Sequence, residues 1–502
     1  MSVWDTVFQL VFGRRGPARP SQPGAQSSPP QPPTPSSAPA PSAPEEPPPP
    51  AETPAPIETQ PPVAPPTVEA TPPPTQTPEP SLPPADTPTS APAPEPPATP
   101  PTSMPIAAQV FSLGCTDPDV ADDRCASYLR TVEQMTRLGL SEVADGLDKV
   151  SLRKLTPAPQ GTMSIADVQR ALTSMGFFPG GEADGICGYR TQSAIRLFQE
   201  YVRSVEGHSD CLPDGLYGPR TQAHLVRWLD AGKQMDWSPL AGEYEAWLAL
   251  LESTKQKYLA TPGRALELVN AFEGRSDTRK VADWDFTGPG NIHLVGVRRS
   301  EVEGKFDDIF VLLMKGMVFK FQGSTEPGAS SHADGPPHLV QGQHDYHFGW
   351  HQRKYLALRP LSSGVLVVRA GADKRLDDAD WQRGLSPNAT INIHWGGRGM
   401  ARDVGNWSEG CQVINGTVYV NPANALVSCA DYAAVRSSEP MTERSKTRGA
   451  YNVLVDLVTA LSGDMPSNQV KYTLLAEDDL DLSPALKQQL ADDRARALSV
   501  SG

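Results

Sequence analysis

"TINIHWGGRGMARDVGNWSEGCQVINGTVYV", residues 390–420, alternates apolar and polar side chains at both ends and crowds glycines between them. The pattern predicts a strand ending near His394, a glycine-rich loop, and a second strand from Gln412. The same signature recurs on either side. "NIHLVGVRR" (291–299), "DDIFVLLMKGMVFKFQGST" (307–325), "YLALRPL" (355–361) and "GVLVVRAG" (364–371) read as strands, each bounded by Gly, Pro, Asp or Asn. One helix, "GAYNVLVDLVTALSG" (449–463), and a last strand, "QVKYTLLA" (469–476), close the unit. A mostly-β domain is therefore expected over 281–478, followed by a polar tail, 479–502, expected to fray.

Upstream the period changes to that of helices. "ADGICGYRTQSAIRLF" (183–198) and "PDGLYGPRTQAHLVRW" (213–228) share D-G-x-x-G-x-R-T-Q at an offset of 30. Asp-Gly starts a tight turn that needs glycine's backbone freedom, and the Thr is placed to cap the following helix. "SIADVQRALTSMGFFPGG" before it reads as a capped helix with Val168, Leu172 and Met175 on one face. These features predict a small all-α domain over 161–232. Flanking it are a helical segment, 106–160, with two helices within 119–155, and a helical connector, 233–280, with two helices separated by "TPG".

The rest of the chain bounds the problem. Of 54 prolines in 502 residues, 36 precede residue 106, and residues 21–105 hold no aromatic residue, Lys or Arg. Such a segment cannot bury enough apolar surface to offset its ordering entropy, so 16–105 is expected to be a disordered linker. A net charge of −14 excludes a nucleic-acid partner as the main one. The first fifteen residues carry an apolar run interrupted by Asp5 and followed, not preceded, by arginines. That is no clear signal peptide; residues 1–15 are a candidate for membrane or protein contact. Six cysteines form no CxxC pair. Cys115 with Cys125 and Cys187 with Cys211 are near enough in sequence for local bridges, with buried free thiols as the equal alternative.

His394 and Cys411, seventeen positions apart, are candidates for nucleophilic chemistry. A thiol near pKa 8.5 needs a neighbouring base or positive charge to become thiolate, and His394 is the candidate base. Gly410 lets the backbone approach a substrate, and the amides around Gly410 and Cys411 are positioned to donate to a developing oxyanion. "HADGPPHLVQGQHDYHFGWH" offers His332, His338, His344, His347 and His351, which raises a zinc-peptidase alternative. No HExxH occurs, however, and the stretch reads as loop plus hairpin, so neither metal nor cofactor is expected.

Two resemblances sharpen this reading. Residues 164–199, through Val168, Leu172, Gly176, Phe177, Phe178, Asp184, Gly185, Gly188, Thr191, Ala194, Phe198 and Gln199, resemble the peptidoglycan-binding domain type 1 family. The second copy repeats the turn as Asp214, Gly215, Gly218 and Thr221. The resemblance implies a wall-binding module with these turns as binding elements. "IHWGG...SEGC", with "VGVRR...KFDDIFVLL", "FQGSTEPG" and "GQHDYHFGWHQRKYLAL" in order, resembles the L,D-transpeptidase (YkuD-like) catalytic family in a divergent, phage- or prophage-associated branch.

The second resemblance implies Cys411 as nucleophile, His394 as general base, Gly410 in the oxyanion turn and Ser408 as a turn-stabilising hydroxyl. His351, Arg398, Arg402 and Trp407 become candidate substrate contacts. Glu409 and Gln412-Val413 depart from the family's Ser-His-Gly-Cys-x-Arg/Asn pattern. The expectation is a peptidoglycan-modifying cysteine acyltransferase, an L,D-transpeptidase or L,D-carboxypeptidase, acting in the cell envelope. Against it stand a non-catalytic wall-binding or virion structural protein, and a zinc-dependent wall peptidase.

Overall fold

The computed structural model describes residues 110–137, 152, 154–159, 163–178, 181–287, 292–299, 305–328, 335–351, 355–371, 376–397, 404, 408–433, 447–461 and 469–501. All belong to one compact unit. The N-terminal segment 1–15, the linker 16–105 and the second of the two helices expected within 119–155 lie outside the described residues.

After helix α1 (Asp122–Arg137) comes the repeat, built from α2 (Ile165–Ser174), α3 (Tyr189–Ser204) and α4 (Pro219–Asp230). Ser164 caps α2 as its sequence predicts, its side chain accepting from Asp167 N–H. The threonines do something other than expected. Gly188 and Gly218 occupy the N-cap positions of α3 and α4 without side-chain caps, while Thr191 and Thr221 sit inside the helices and donate back to Ile186 O and Leu216 O.

The connector forms the two expected helices, α5 (Glu243–Ala260) and α6 (Arg264–Ala271). Beyond it the chain is mostly strand: β4 (His293–Arg298), β5 (Asp308–Met314), β6 (Met317–Ser324), β8 (Gly342–His351), β9 (Tyr355–Pro360), β12 (Ile393–Trp395), β13 (Gln412–Val420) and β15 (Gln469–Ala476). Their order, β12-β9-β8-β15-β4-β5-β6-β13, is closed by pairing of β13 with β12, giving an eight-strand barrel. Most pairs are antiparallel; β4–β15 and β12–β13 are parallel. The sixteen residues between Trp395 and Gln412 supply the long connection that parallel neighbours require. Two small sheets flank the barrel. One is β1 (Cys115–Thr116) with β2 (Thr156–Pro157); the other is β7 (Pro337–Leu339), β10 (Val365–Arg369) and β11 (Ser386–Asn388). Strands β3 (Thr278–Arg279) and β14 (Leu426–Ser428) pair with β8 and β13, and two short helices, α7 (Asp378–Gln382) and α8 (Ala430–Ala433), lie between the later strands.

Alternation along the strands separates two faces. Phe310, Leu312, Phe319, Phe321, Tyr346, Phe348, Leu358, Ile393, Ile414, Tyr472 and Leu474 fill the inside, and helix α9 (Ala450–Leu461) joins that core, Tyr451 Oη donating to Leu356 O and Ile393 O. The repeat shares this core without a break: α3 packs along α9, and Trp237 meets Phe319 edge-on at 5.2 Å.

Outside, Val295, Val297, Ile309, Val311 and Leu313 are covered by Trp247, Leu251 and Leu266 of α5 and α6 and by Leu490. Leu490 lies on helix α10 (Pro484–Ser501), so the polar C-terminal stretch is a packed helix and not the frayed tail expected. Its Asp493 and Glu243 of α5 flank the buried Lys320 at 3.0 and 2.8 Å, and an isolated buried cation would be untenable without them.

The six cysteines are free. The local bridges considered from sequence spacing are not formed. Cys115 instead lies across a strand pair from Cys187, whose N–H donates to Cys115 O at 2.8 Å.

Candidate functional site

The parallel register Ile393↔Gln412 and His394↔Val413 places Asn392 opposite Cys411. Residues two apart on a strand share a face, so Asn392, His394 and Cys411 all project from the outer side of the barrel. With strands about 4.8 Å apart and two residues spanning about 6.6 Å, the His394 and Cys411 Cα atoms are about 8 Å apart, and the two side chains make no hydrogen bond with each other. The antiparallel partners β9 and β8 add to this face: Tyr355, Ala357 and Arg359 from β9, His347, Gly349 and His351 from β8. Gly349 and Ala357 leave its middle nearly bare. His351 and His394 stack there, ring centroids 4.2 Å apart and planes 26° from parallel.

The contacts define the chemistry. Cys411 Sγ donates to Thr390 O and accepts from Asn392 N–H, both at 3.4 Å. His394 Nδ1 lies 2.9 Å from Trp395 O, which can only accept, so Nδ1 carries the ring proton and Nε2 holds the lone pair. That Nε2 is buried and has no hydrogen-bond partner among the described residues. Burial pushes the His394 pKa down to about 4, against the opposing effect of the Trp395 carbonyl, so the imidazole is neutral at pH 7. Burial likewise pushes the Cys411 thiol up to about 11, with Asn392 N–H and Arg359 opposing and Glu409 reinforcing the rise. The resting pair is thus thiol and neutral imidazole. Both shifts have one cause, because a weakly solvated face penalises both charged forms.

Ser408 behaves as the turn-stabilising hydroxyl, donating to Cys411 O at 2.6 Å and accepting from Gly410 N–H at 3.1 Å. Gly410 has φ +135°, and a Cβ there would lie 2.6 Å from Pro337 O, so only glycine fits. Its N–H is already spent on Ser408, contrary to the expected oxyanion role. The Cys411 N–H is the remaining donor beside the thiol.

His351 joins the site through its Nδ1, 3.0 Å from Asn392 Nδ2. Arg398, Arg402, Trp407 and His332 lie outside the described residues. The other histidines are not brought together. His344 faces inward, held by Thr278 Oγ1 and Val340 O; His347 faces outward; His338 belongs to the small sheet. The zinc-peptidase arrangement is therefore not assembled from His338, His344, His347 and His351.

The Asp-Gly turns are each held by a glutamine of the preceding helix. Gln169 Nε2 donates to Asp184, Ile186 O and Thr191, while its Oε1 accepts from Gly185 N–H. Gln199 does the same for Asp214, Leu216 O, Thr221 and Gly215. Gly185 and Gly215 take φ +72° and +74°, the left-handed backbone these tight turns require.

Sequence reasoning missed Asn392, Tyr355 and Arg359. Arg359 donates to Trp350 O at 2.9 Å and Ala389 O at 3.5 Å, its Nε is buried and unpartnered, and no carboxylate pairs with it among the described residues. The available signal was alternation: Tyr355, Ala357 and Arg359, and Asn392 with His394, are each two apart in predicted strands.

Comparison with family models, with curated proteins and with solved structures finds no match to this chain.

Proposed function

We propose that the protein is a peptidoglycan-modifying cysteine acyltransferase, an L,D-transpeptidase or L,D-carboxypeptidase acting on stem peptides in the cell envelope. The observation that carries the reading is the unpartnered, neutral His394 Nε2 on the same sheet face as the Cys411 thiol. A neutral imidazole with a free lone pair is ready to take the thiol proton as sulfur attacks a carbonyl carbon, so no standing thiolate is needed. The S–C bond forms while the proton moves to Nε2. Collapse of the tetrahedral intermediate breaks the C–N bond, and the imidazolium returns the proton to the departing amine. The thioester then passes to an amine, giving a cross-link or exchanged D-amino acid, or to water, giving carboxypeptidase activity.

The resemblance of "IHWGG...SEGC" implies that the bond cleaved joins the third stem residue to the following D-Ala. Arg359 suits the free carboxylate of such a leaving residue, because it is a guanidinium on this face without an acidic partner among the described residues. The repeat resembles a wall-binding module and shares a core with the barrel, so any glycan or peptide it holds stays at a fixed distance from Cys411. No helix among the described residues is long and apolar enough to cross a membrane.

The test is mass spectrometry of muropeptides after incubating tetrapeptide-bearing fragments with wild type, Cys411→Ala and His394→Gln. Loss of D-Ala or new dimers with wild type alone is the expected result. One observation, the occupied Gly410 N–H, favours a non-catalytic wall-binding or structural role instead. Unchanged muropeptides with a wild type that still binds sacculi would establish that role.

A further inference from the structure

The second copy of the repeat gathers three polar side chains away from the barrel face. His208 lies in the loop after α3, Asp210 two residues on, and His224 on α4. One ligand atom from each falls within 4.8 Å of the others, the one such cluster of three among the described residues. The imidazole rings of His208 and His224 are 4.8 Å apart, and both residues are half-buried.

We propose that His208, Asp210 and His224 bind a divalent transition-metal ion of the zinc class, with a fourth position open to water. The donor set is two imidazole nitrogens and one carboxylate oxygen, which suits a borderline ion and falls far short of the six to eight oxygens calcium takes. Ligand atoms about 2.0–2.2 Å from a tetrahedral ion are about 3.3 Å from one another, so closing from 4.8 Å asks only for side-chain rotation. The backbone is already fixed. His208 N–H donates to Val202 O at 3.1 Å, Cys211 N–H donates to His208 O at 3.0 Å, and His224 rides on a helix.

Arg227 is the competitor. Its Nη2 lies 3.3 Å from His224 Nδ1. An ion at Nδ1 displaces that guanidinium. An ion at Nε2 requires Nδ1 to carry the proton, and a protonated Nδ1 cannot accept from Arg227. Either way the contact breaks. Glu206, which pairs with Arg227 and also takes Lys233 and Trp228, retains the released cation. The first copy of the repeat lacks the site: an offset of 30 places Phe178, Gly180 and Ala194 at the three positions. An ion here would tie the loop after α3 to α4 in the second copy alone.

The experiment uses full-length, untagged, chelator-stripped protein titrated with zinc by calorimetry and with cobalt(II) by absorption. One ion per chain is expected, with ligand-field bands of a nitrogen–oxygen site and without the sulfur charge-transfer band that any of the six thiols would produce. His208→Ala and His224→Ala should abolish it, Asp210→Asn should weaken it about tenfold or more, and Cys411→Ala should leave it unchanged. Arg227→Gln should tighten it. Absence of binding by the wild type overturns the proposal, as does binding that persists in His224→Ala with circular dichroism unchanged. A sulfur charge-transfer band in the bound form also overturns it. None of these readouts depends on peptidoglycan chemistry.

Discussion

Cys411 and His394 each lose their usual charge balance to the same cause. On the face between β8, β9, β12 and β13, desolvation favours the neutral thiol and the neutral imidazole together. With the thiol pKa near 11, about one sulfur in ten thousand is thiolate at pH 7. Alkylation of Cys411 by iodoacetamide in free protein should therefore be slow at neutral pH and climb steadily towards pH 11. Arg359→Gln should move that climb to higher pH, because Arg359 is one of the groups opposing the rise. Mass spectrometry of the Cys411 peptide against pH checks both statements, and fast alkylation at pH 7 would contradict the neutral resting pair. At this scale Cys411 and His394 were legible in the sequence as candidate residues. Their protonation was not, because burial is a property of what packs around them.

At the scale of elements, the repeat shows how much a short pattern can hide. The Asp-Gly pairs, the threonines and the offset of 30 are visible in the letters. The residue that organises each turn, Gln169 or Gln199, lies fifteen positions earlier on the preceding helix. Each glutamine side chain satisfies a carboxylate, a carbonyl, a hydroxyl and a backbone N–H. Replacing either by leucine should cost about 1–3 kcal/mol by leaving buried polar groups unpaired. Denaturant unfolding of Gln169→Leu and Gln199→Leu measures that cost. Hydrogen exchange should accelerate locally at Gly185 N–H in the first variant and Gly215 N–H in the second. If both variants match wild type, the turns are held by something else. Strand β5 is the opposite case. After Asp308, "IFVLLM" is apolar throughout because the barrel core takes Phe310 and Leu312 while α5 and α6 cover Ile309 and Val311. Its type was legible, and its two covers were not.

Across the whole molecule, repeat and barrel are joined by buried polar contacts as well as by their shared core. Arg196 of α3 grips Asp456 of α9 with hydrogen bonds of 2.6–3.1 Å, and Glu200 accepts from Tyr419 and Tyr432 at 2.7 Å. Removing Arg196 strands an almost wholly buried carboxylate, a loss of about 3–5 kcal/mol. Arg196→Ala should lower the unfolding temperature, and wild type should unfold the repeat and barrel in one cooperative calorimetric transition. Two separated transitions in wild type would show that the two parts are energetically independent.

By itself the sequence determined most of the element types, the glycine-demanding turns and the repeat, because these depend on local backbone preference and on periodicity. Tertiary structure alone decided that β12 and β13 run parallel and close a barrel, and that Asn392 stands opposite Cys411. It also brought Arg359 to the same face and neutralised the site. Register, closure and burial arise from contacts between segments far apart in the chain, and no local pattern of residues encodes the dielectric that those contacts create.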